Sequence, residues 1–522
     1  MNGADSLVHT LLAGGVDVCF TNPGTSEMHF VAALDRIEGM RCVLGLFEGV
    51  VTGAADGYWR MARRPAATLL HLGPGLGNGL ANLHNARKAR SGIVNVIGEH
   101  ALDHLALDAP LTADIEGIAR PVSHWVRTTR SAQAVAADTQ DAIVAASAAP
   151  GGIASLILPA DTAWTDLPEQ TPVPSAGSQR PVPAFRALEV DALASAARAL
   201  GAPGPTLMLL GGSALSERGL LSAGRIAART GCALMSEFYV ARLARGSGRV
   251  LAPRLPYAVE PALAALAAFR RIVLVGARPP VAFFAYPGKP GLLAPKGCEL
   301  ITFAQGDQDL EAALDALAHE LGAAALAPKA VAERAPAISG FQGKPGPEGL
   351  AAVLTALLPE QAIVVDEAIT LGRALGPSTT GAAPHDWLTA MGGSIGFGLP
   401  TAIGAAIAAP ERKVVVLEGD GSAMYTIQSL WTMARENLDI TVVIMANRAY
   451  QILRGEFAGV GAGAPGARAT DMLTLDRPTL DFSAMARGMG VEAVRVDELG
   501  AFAKAFSAAM AERGPRLIEL VV

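Results

Sequence analysis

The chain has 522 residues, of which 51% are hydrophobic and 17% charged, and a formal net charge of −6. That length accommodates about three domains of ordinary size, and the acidic balance, with no run of Lys or Arg, gives no electrostatic reason to expect nucleic acid. No uninterrupted apolar run of about 18 residues is present to span a membrane as a helix.

The amino terminus, MNGADSLVHTLLAGG, lacks a basic stretch followed by a long apolar core, so it reads as an amphipathic first helix rather than a signal peptide. Cys19, Cys42, Cys232 and Cys298 fall in no metal-like spacing. Free, mostly buried thiols in a reducing cytoplasm are the expectation. A short strand over Val16–Phe20 leads into the turn Asn22-Pro23-Gly24-Thr25, and a second apolar run leads into Glu48 within LGLFEGVVTGAADGY. An isolated glutamate is by default a solvated loop carboxylate; the apolar flanks of Glu48 argue for a functional one. His71, in LLHLGPGLGN, carries an imidazole suited to proton transfer near neutral pH, with a structural histidine as the alternative. His100 and His104, in IGEHALDHL, read first as surface histidines and second as reserve proton carriers.

Two proline-rich stretches of weak periodicity, Asp166–Phe185 and Ala323–Pro347, divide the chain into segments 1–165, 186–322 and 348–522. Each alternates strand-like with helix-like runs, as at Thr206–Leu210 and Arg271–Val275 of the middle part, which indicates parallel α/β units. The expected fold class is therefore α/β, with three doubly wound parallel-sheet domains. No tandem repeat of short period is visible.

The densest chemistry lies near the carboxyl end. Gly419-Asp420-Gly421-Ser422 follows the apolar run Lys413–Leu417, a helix-like segment covers Tyr425–Glu436, and Asn447 ends the apolar run Ile440–Ala446. An aspartate and an asparagine at the carboxyl ends of two buried parallel strands set hard oxygen ligands beside one crevice. The carbonyl of Ala449 is a candidate third protein ligand for Mg²⁺, an ion that completes its shell with phosphate and water. Gly421 and Ser422 offer backbone N–H groups to a diphosphate at the positive end of a helix.

The segment GDGSAMYTIQSLWTMARENLDITVVIMANRAY resembles the cofactor motif of thiamine diphosphate enzymes, in which GDG is followed, after roughly two dozen residues, by a pair of asparagines. Ala446 replaces the first of that pair. The resemblance runs along the whole chain and is closest to the benzoylformate decarboxylase and acetolactate synthase branch. It implies that Glu48 shares a proton with N1′ of the aminopyrimidine, favouring the imino tautomer whose N4′ removes the thiazolium C2 proton. It further implies that Thr25 and His71 face the substrate. By the same resemblance, within Met391-Gly392-Gly393-Ser394-Ile395-Gly396 the Gly393 carbonyl is expected to accept from N4′ and Ile395 to bend the cofactor. Thr370 joins the cofactor-contacting set on the same likeness. The domains become pyrimidine-binding, Rossmann-like and diphosphate-binding, and sites shared between subunits imply a homodimer or homotetramer.

Two departures qualify the likeness. Benzoylformate decarboxylase carries a second histidine in a middle-domain segment resembling Arg278–Gly288, where this chain has Phe284 and Ala285. Biosynthetic acetolactate synthases carry a tryptophan past the metal asparagine, where this chain has Glu456 and Phe457, and Gly211-Gly212 is no dinucleotide fingerprint, so FAD is not expected. The expected activity is decarboxylation of a 2-oxo acid followed by carboligation. Alternatives are a simple 2-oxo acid decarboxylase, a 2-hydroxyacyl-CoA lyase, a flavin-dependent oxidase and a silent cofactor-binding regulatory subunit.

Overall fold

The computed structural model describes residues 1–338 and 340–522. The first sheet comprises β1 (Val18–Thr21), β2 (Arg41–Leu44), β3 (Ala66–Leu70), β4 (Ile93–Glu99), β5 (Trp125–Thr128) and β6 (Ile153–Pro159), all parallel, in the order β2-β1-β3-β4-β6-β5. The middle segment opens with β7 (Thr206–Leu210) and β8 (Ala233–Ser236), continues through β9 (Leu243–Arg245), and closes with β10 (Arg271–Val275) and β11 (Glu299–Ala304). Four of these form the parallel sheet β11-β10-β7-β8. The third sheet contains β12 (Ile363–Glu367), β13 (His385–Thr389), β14 (Val414–Gly419), β15 (Ile440–Ala446), β16 (Glu492–Val496) and β17 (Arg516–Val521), ordered β16-β17-β15-β14-β12-β13. β9 crosses to this third sheet and pairs antiparallel with β13 at its edge, a connection the sequence did not suggest.

The central strands β3, β4, β6 and β15 are buried along their whole length, because helices cover both faces of a parallel sheet. The first helix, Gly3–Ala13, starts with a capping box: Asn2 Oδ1 accepts from Asp5 N at 2.9 Å and the Asp5 carboxylate accepts from Asn2 N at 3.0 Å. Of the expected helix over Tyr425–Glu436 only Ser429–Arg435 is helical, and a separate short helix, Asp420–Ala423, precedes it. Backbone turns close at Tyr425, Thr426 and Ser429 between them.

In the first sheet the winding reverses between β1 and β3, and in the third between β12 and β14. Such switch points open a crevice at the carboxyl ends of the strands. The two sheets share one apolar core, running from Phe20, Val43 and Leu70 to Val365, Val416 and Ile444. Helices Glu48–Ala62 and Gly398–Ala408 meet inside it. Their backbones approach so closely that a Cβ on Gly57 would overlap the Thr401 carbonyl, and one on Gly404 the Ala54 carbonyl. Beside this crossing Arg60, 1% exposed, pairs with Asp56 at 2.6 Å and donates to the Thr389 carbonyl at 2.8 Å.

Gly404→Ala is expected to lower unfolding free energy by about 1–3 kcal/mol, since overpacking forces backbones apart; unchanged urea denaturation would contradict that contact. A second expectation concerns His385, which is fully buried in β13 with Nδ1 2.6 Å from the Ala383 carbonyl. Burial, reinforced by Arg245, depresses its pKa from 6.5 to about 3. The folded state therefore refuses a proton that the unfolded chain accepts, so the contribution is complete above pH 6.5 and is lost as pH falls toward 3. Urea titrations should show up to about 1.4 kcal/mol of stability lost per pH unit in the upper part of that window from this group, and His385→Gln should flatten the slope there.

Candidate active site

At the switch point of the first sheet, β1 ends beside β3 and delivers two loops to one place. The turn Thr25–Glu27 follows β1, and His71 caps the helix Leu72–Ala89 that follows β3. Glu27, 2% exposed, accepts from Gly24 N at 2.8 Å and from Ser26 Oγ at 3.0 Å. His71 Nδ1 lies 2.8 Å from Glu27 Oε2. A carboxylate has no proton to give, so Nδ1–H donates and Nε2 remains for chemistry. Thr25 stands exposed at the start of the same turn.

Glu48 opens the helix Glu48–Ala62 and is 8% exposed. Its Oε2 accepts from Asn78 Nδ2 at 2.9 Å, and Asn78 belongs to the helix that His71 caps. Glu48 and His71 thus share one crevice wall. His100 and His104 sit on the loop after β4 with ring centroids 5.4 Å apart; none of their described contacts reaches Glu48 or His71.

The third sheet builds the other half. Asp420 follows β14 and is 4% exposed, and its carboxylate accepts from Arg448 N at 2.5 Å and Gly421 N at 2.9 Å. Burial raises its pKa against the opposing pull of these N–H donors. Asn447 and the buried Ala449 follow the neighbouring β15, with Asn447 Oδ1 accepting from Ala449 N at 3.0 Å. A carboxylate, an amide oxygen and a main-chain carbonyl form a hard-donor set suited to Mg²⁺. A buried carboxylate without a cationic side-chain partner among the described ion pairs fits a bound cation. Ser422 turns its hydroxyl inward to Glu418 and to the Gly419 carbonyl, which leaves its backbone N–H as the group for a phosphate.

The loop before helix Gly398–Ala408 is held from the first domain of the same chain. Asn85 Nδ2 donates to the Ser394 carbonyl at 2.8 Å, and Asn82 Nδ2 donates to the carbonyls of Gly49 at 2.8 Å and Gly396 at 3.2 Å. Gly393, at φ +74°, takes a left-handed turn that favours glycine. Gly393 and Ile395 open onto a cavity of about 740 Å³. Its wall includes Phe238, Tyr239, Tyr257, Phe283 and Phe284, with Phe283 and Phe284 edge to face at 4.7 Å. Thr370 is not part of this lining, whereas its neighbours Ile369, Gly372 and Arg373 are.

Among the described residues, none that line the cavity belongs to the first domain. The half carrying Glu48 and His71 and the half carrying Gly393, Ile395 and Asp420 are each formed, but no described hydrogen bond or ion pair joins their acidic groups. Sequence reasoning missed Glu27, Asn78 and the two asparagines 82 and 85. An acid two residues beyond the Asn-Pro-Gly-Thr turn's glycine-threonine pair was the available signal for Glu27. The four cysteines are free, with Cys19 and Cys232 buried and Cys42 exposed, so the expectation of mostly buried thiols holds for only part of the set.

Family models for the "Thiamine pyrophosphate enzyme, N-terminal TPP binding domain" and the "Thiamine pyrophosphate enzyme, C-terminal TPP binding domain" match residues 1–118 and 377–520. The chain is 52% identical to the "Putative acetolactate synthase large subunit IlvX" of Mycobacterium tuberculosis, covering 100% of this chain and 99% of that one. It is 31% identical to the benzoylformate decarboxylase of Pseudomonas aeruginosa, covering 97% and 96%. Among solved structures, a thiamine diphosphate-dependent 4-hydroxybenzoylformate decarboxylase of Rhodococcus jostii superposes with TM-score 0.84 at 25% identity, over 100% of this chain and 99% of that one. Two matched cofactor domains, a relative of equal length at 52% identity and a shared three-sheet fold together establish that this chain belongs to the thiamine pyrophosphate enzymes.

Proposed function

We propose that the chain is a thiamine diphosphate- and Mg²⁺-dependent enzyme that decarboxylates a 2-oxo acid and joins the remaining acyl unit to a second carbonyl. When bound, the cofactor supplies a nucleophilic carbon and an electron sink for the departing carbon dioxide. The protein's part is to hold, orient and move protons. Asp420, Asn447 and the Ala449 carbonyl hold the ion that ties the diphosphate, with the N–H groups of Gly421 and Ser422 beside it. The Gly393 carbonyl and Ile395 orient the aminopyrimidine, and Glu48, set by Asn78, exchanges a proton at N1′. His71, held at Nδ1 by Glu27, carries protons at Nε2 near the substrate, and Thr25 adds a hydroxyl.

The observation that carries the carboligation reading is the aromatic wall. Phe284 and Ala285 stand where the resembled family carries its second histidine, and Phe283 and Phe284 face the cavity. The phenols beside them hold their protons too tightly for acid catalysis near neutral pH: burial raises Tyr239 to about 12 and also raises Tyr257. Protonation of the acyl carbon to release an aldehyde finds no histidine on that aromatic wall, whereas attack on a second carbonyl forms a carbon–carbon bond at that carbon and takes its proton at the acceptor oxygen instead. The Glu27–His71 pair favours the other reading, a decarboxylase working with one histidine.

Assembly as a homodimer or homotetramer, with each site between two subunits, follows from two half-sites flanked by exposed apolar residues. Met28 and Leu46, at 45% and 47% exposure, adjoin the first half, and Met424 and Tyr425, at 38% and 52%, adjoin the second. A cytoplasmic enzyme without membrane or nucleic-acid partners agrees with these features.

The purified protein, given thiamine diphosphate, Mg²⁺ and a panel of aliphatic and aryl 2-oxo acids, should evolve carbon dioxide and form 2-hydroxy ketones or acids in excess of free aldehyde. Mainly aldehyde from wild type, abolished in His71→Ala, would instead establish the decarboxylase. Glu48→Gln and Asp420→Ala should each be inactive, the second with cofactor affinity and Mg²⁺ dependence lost together. Coexpressed, the two variants should regain about a quarter of wild-type activity, because random pairing of subunits leaves one intact site in each mixed dimer. No recovery would mean that Glu48 and Asp420 act within one chain.

A further inference from the structure

Beneath the cofactor loop lies an acid pair with no part in the chemistry so far. Glu367 ends β12, Glu418 lies near the end of β14, and the two strands place them side by side in register. They are 3% and 1% exposed, and no Lys, Arg or His pairs with either among the described residues. Glu367 also borders the cavity onto which Gly393 and Ile395 open.

Their hydrogen bonds assign different duties. Glu367 Oε1 accepts from Gly396 N at 2.8 Å and Oε2 from Gly398 N at 2.7 Å. These donors sit at the amino-terminal end of helix Gly398–Ala408, which favours a negative charge there. Glu418 Oε1 accepts from the Ser422 hydroxyl, while its buried Oε2 has no hydrogen-bond partner among the described residues. A Cβ on Gly398 would overlap Glu418 Oε2 and lie 3.1 Å from Glu367 Oε2, so the acids occupy the space under the loop completely. Thr426 and Asn82 grip the Gly396 carbonyl from other sides, but among the described side chains Glu367 alone accepts from the N–H groups of Gly396 and Gly398. Burial raises its pKa to about 7 in spite of those donors.

We propose that Glu367 is a positioning residue for the reaction: its carboxylate pins Gly396 and Gly398 and thereby sets the Gly393 carbonyl and Ile395 against the aminopyrimidine, with Glu418 packed beside it. The assignment rests on the thiamine diphosphate reading given above. Glu367 makes no described hydrogen bond to Asp420, Asn447, Ala449 or Ser422, so it governs cofactor geometry more than cofactor affinity.

Glu367→Gln tests this. The amide keeps the shape but turns an NH₂ toward one of the two N–H donors. The variant should unfold at nearly the wild-type temperature and bind thiamine diphosphate, by fluorescence titration, with nearly wild-type affinity. Its exchange of the cofactor C2 proton for deuterium, read by NMR after acid quench, should slow by about tenfold or more, as a small misplacement of reacting groups does. kcat should fall in parallel while KM stays level. Glu367→Asp, which keeps a carboxylate but draws it back, should fall between wild type and Glu367→Gln, and it serves where the glutamine variant does not fold. Wild-type exchange in Glu367→Gln overturns the assignment, as does loss of stability and affinity in proportion to the loss of exchange. A wild-type protein that neither binds thiamine diphosphate nor exchanges C2 overturns the functional reading itself.

Discussion

The close crossing of helices Glu48–Ala62 and Gly398–Ala408 is the constraint from which the site follows. Where a glycine faces a carbonyl across the contact, at Gly57 and at Gly404, two backbones rather than two side chains set the distance. Dispersion and apolar burial then hold the first and third domains as one body, and Arg60, fully buried between them, ties the crossing to the end of β13. Each helix carries an element of the proposed site at its amino-terminal end. Glu48 is the first residue of one, and the Gly393–Gly398 loop leads directly into the other.

Burying several carboxyl groups near one site requires a separate solution for each. Glu27 has an imidazole N–H, Glu48 an amide, Asp420 two backbone N–H groups, and Glu367 two more at a helix end. Only neutral or weakly acidic donors appear in these sets. None of these carboxyl groups has a guanidinium partner among the described residues, as the proposed function requires of groups that exchange protons or receive a cation. The stronger pairing of Asp386 with Arg242 and Arg412 lies at the opposite ends of the strands, where stability and not chemistry is served.

Parallel strands covered on both faces are continuous apolar runs, which is why Thr206–Leu210, Arg271–Val275 and Ile440–Ala446 were legible to the residue. The motif around Asp420 and Asn447 was legible for the same reason: polar residues stand out where such runs stop. The helix over Tyr425–Glu436 was not, because its periodicity hides a backbone turn at Thr426, whose hydroxyl is drawn to the Gly396 carbonyl. Thr370 stands outside the cavity lining that its helical neighbours Ile369, Gly372 and Arg373 form. Glu367 and Glu418 left a signal that went unread. An acid at the end of IVVDE or VVVLE lies inside a buried strand, where a charge has no place without a purpose. Convergence of the Asn82 amide on Gly49 and Gly396 is tertiary and leaves no mark in local sequence.

β9 has a consequence for how such a chain can be recombined. Three residues of the middle segment complete the edge of the third sheet, and Arg249 just beyond them donates to the His385 carbonyl on the same strand. The unit that is continuous in sequence is therefore not the unit that is continuous in space. A chimera that exchanged residues between the two proline-rich linkers would remove the third sheet's border strand along with the middle domain. A graft that respects the architecture exchanges β7, β8, β10 and β11 together and keeps the recipient's residues 243–249 between them, so that the native edge is retained and no unpaired strand is left open to association.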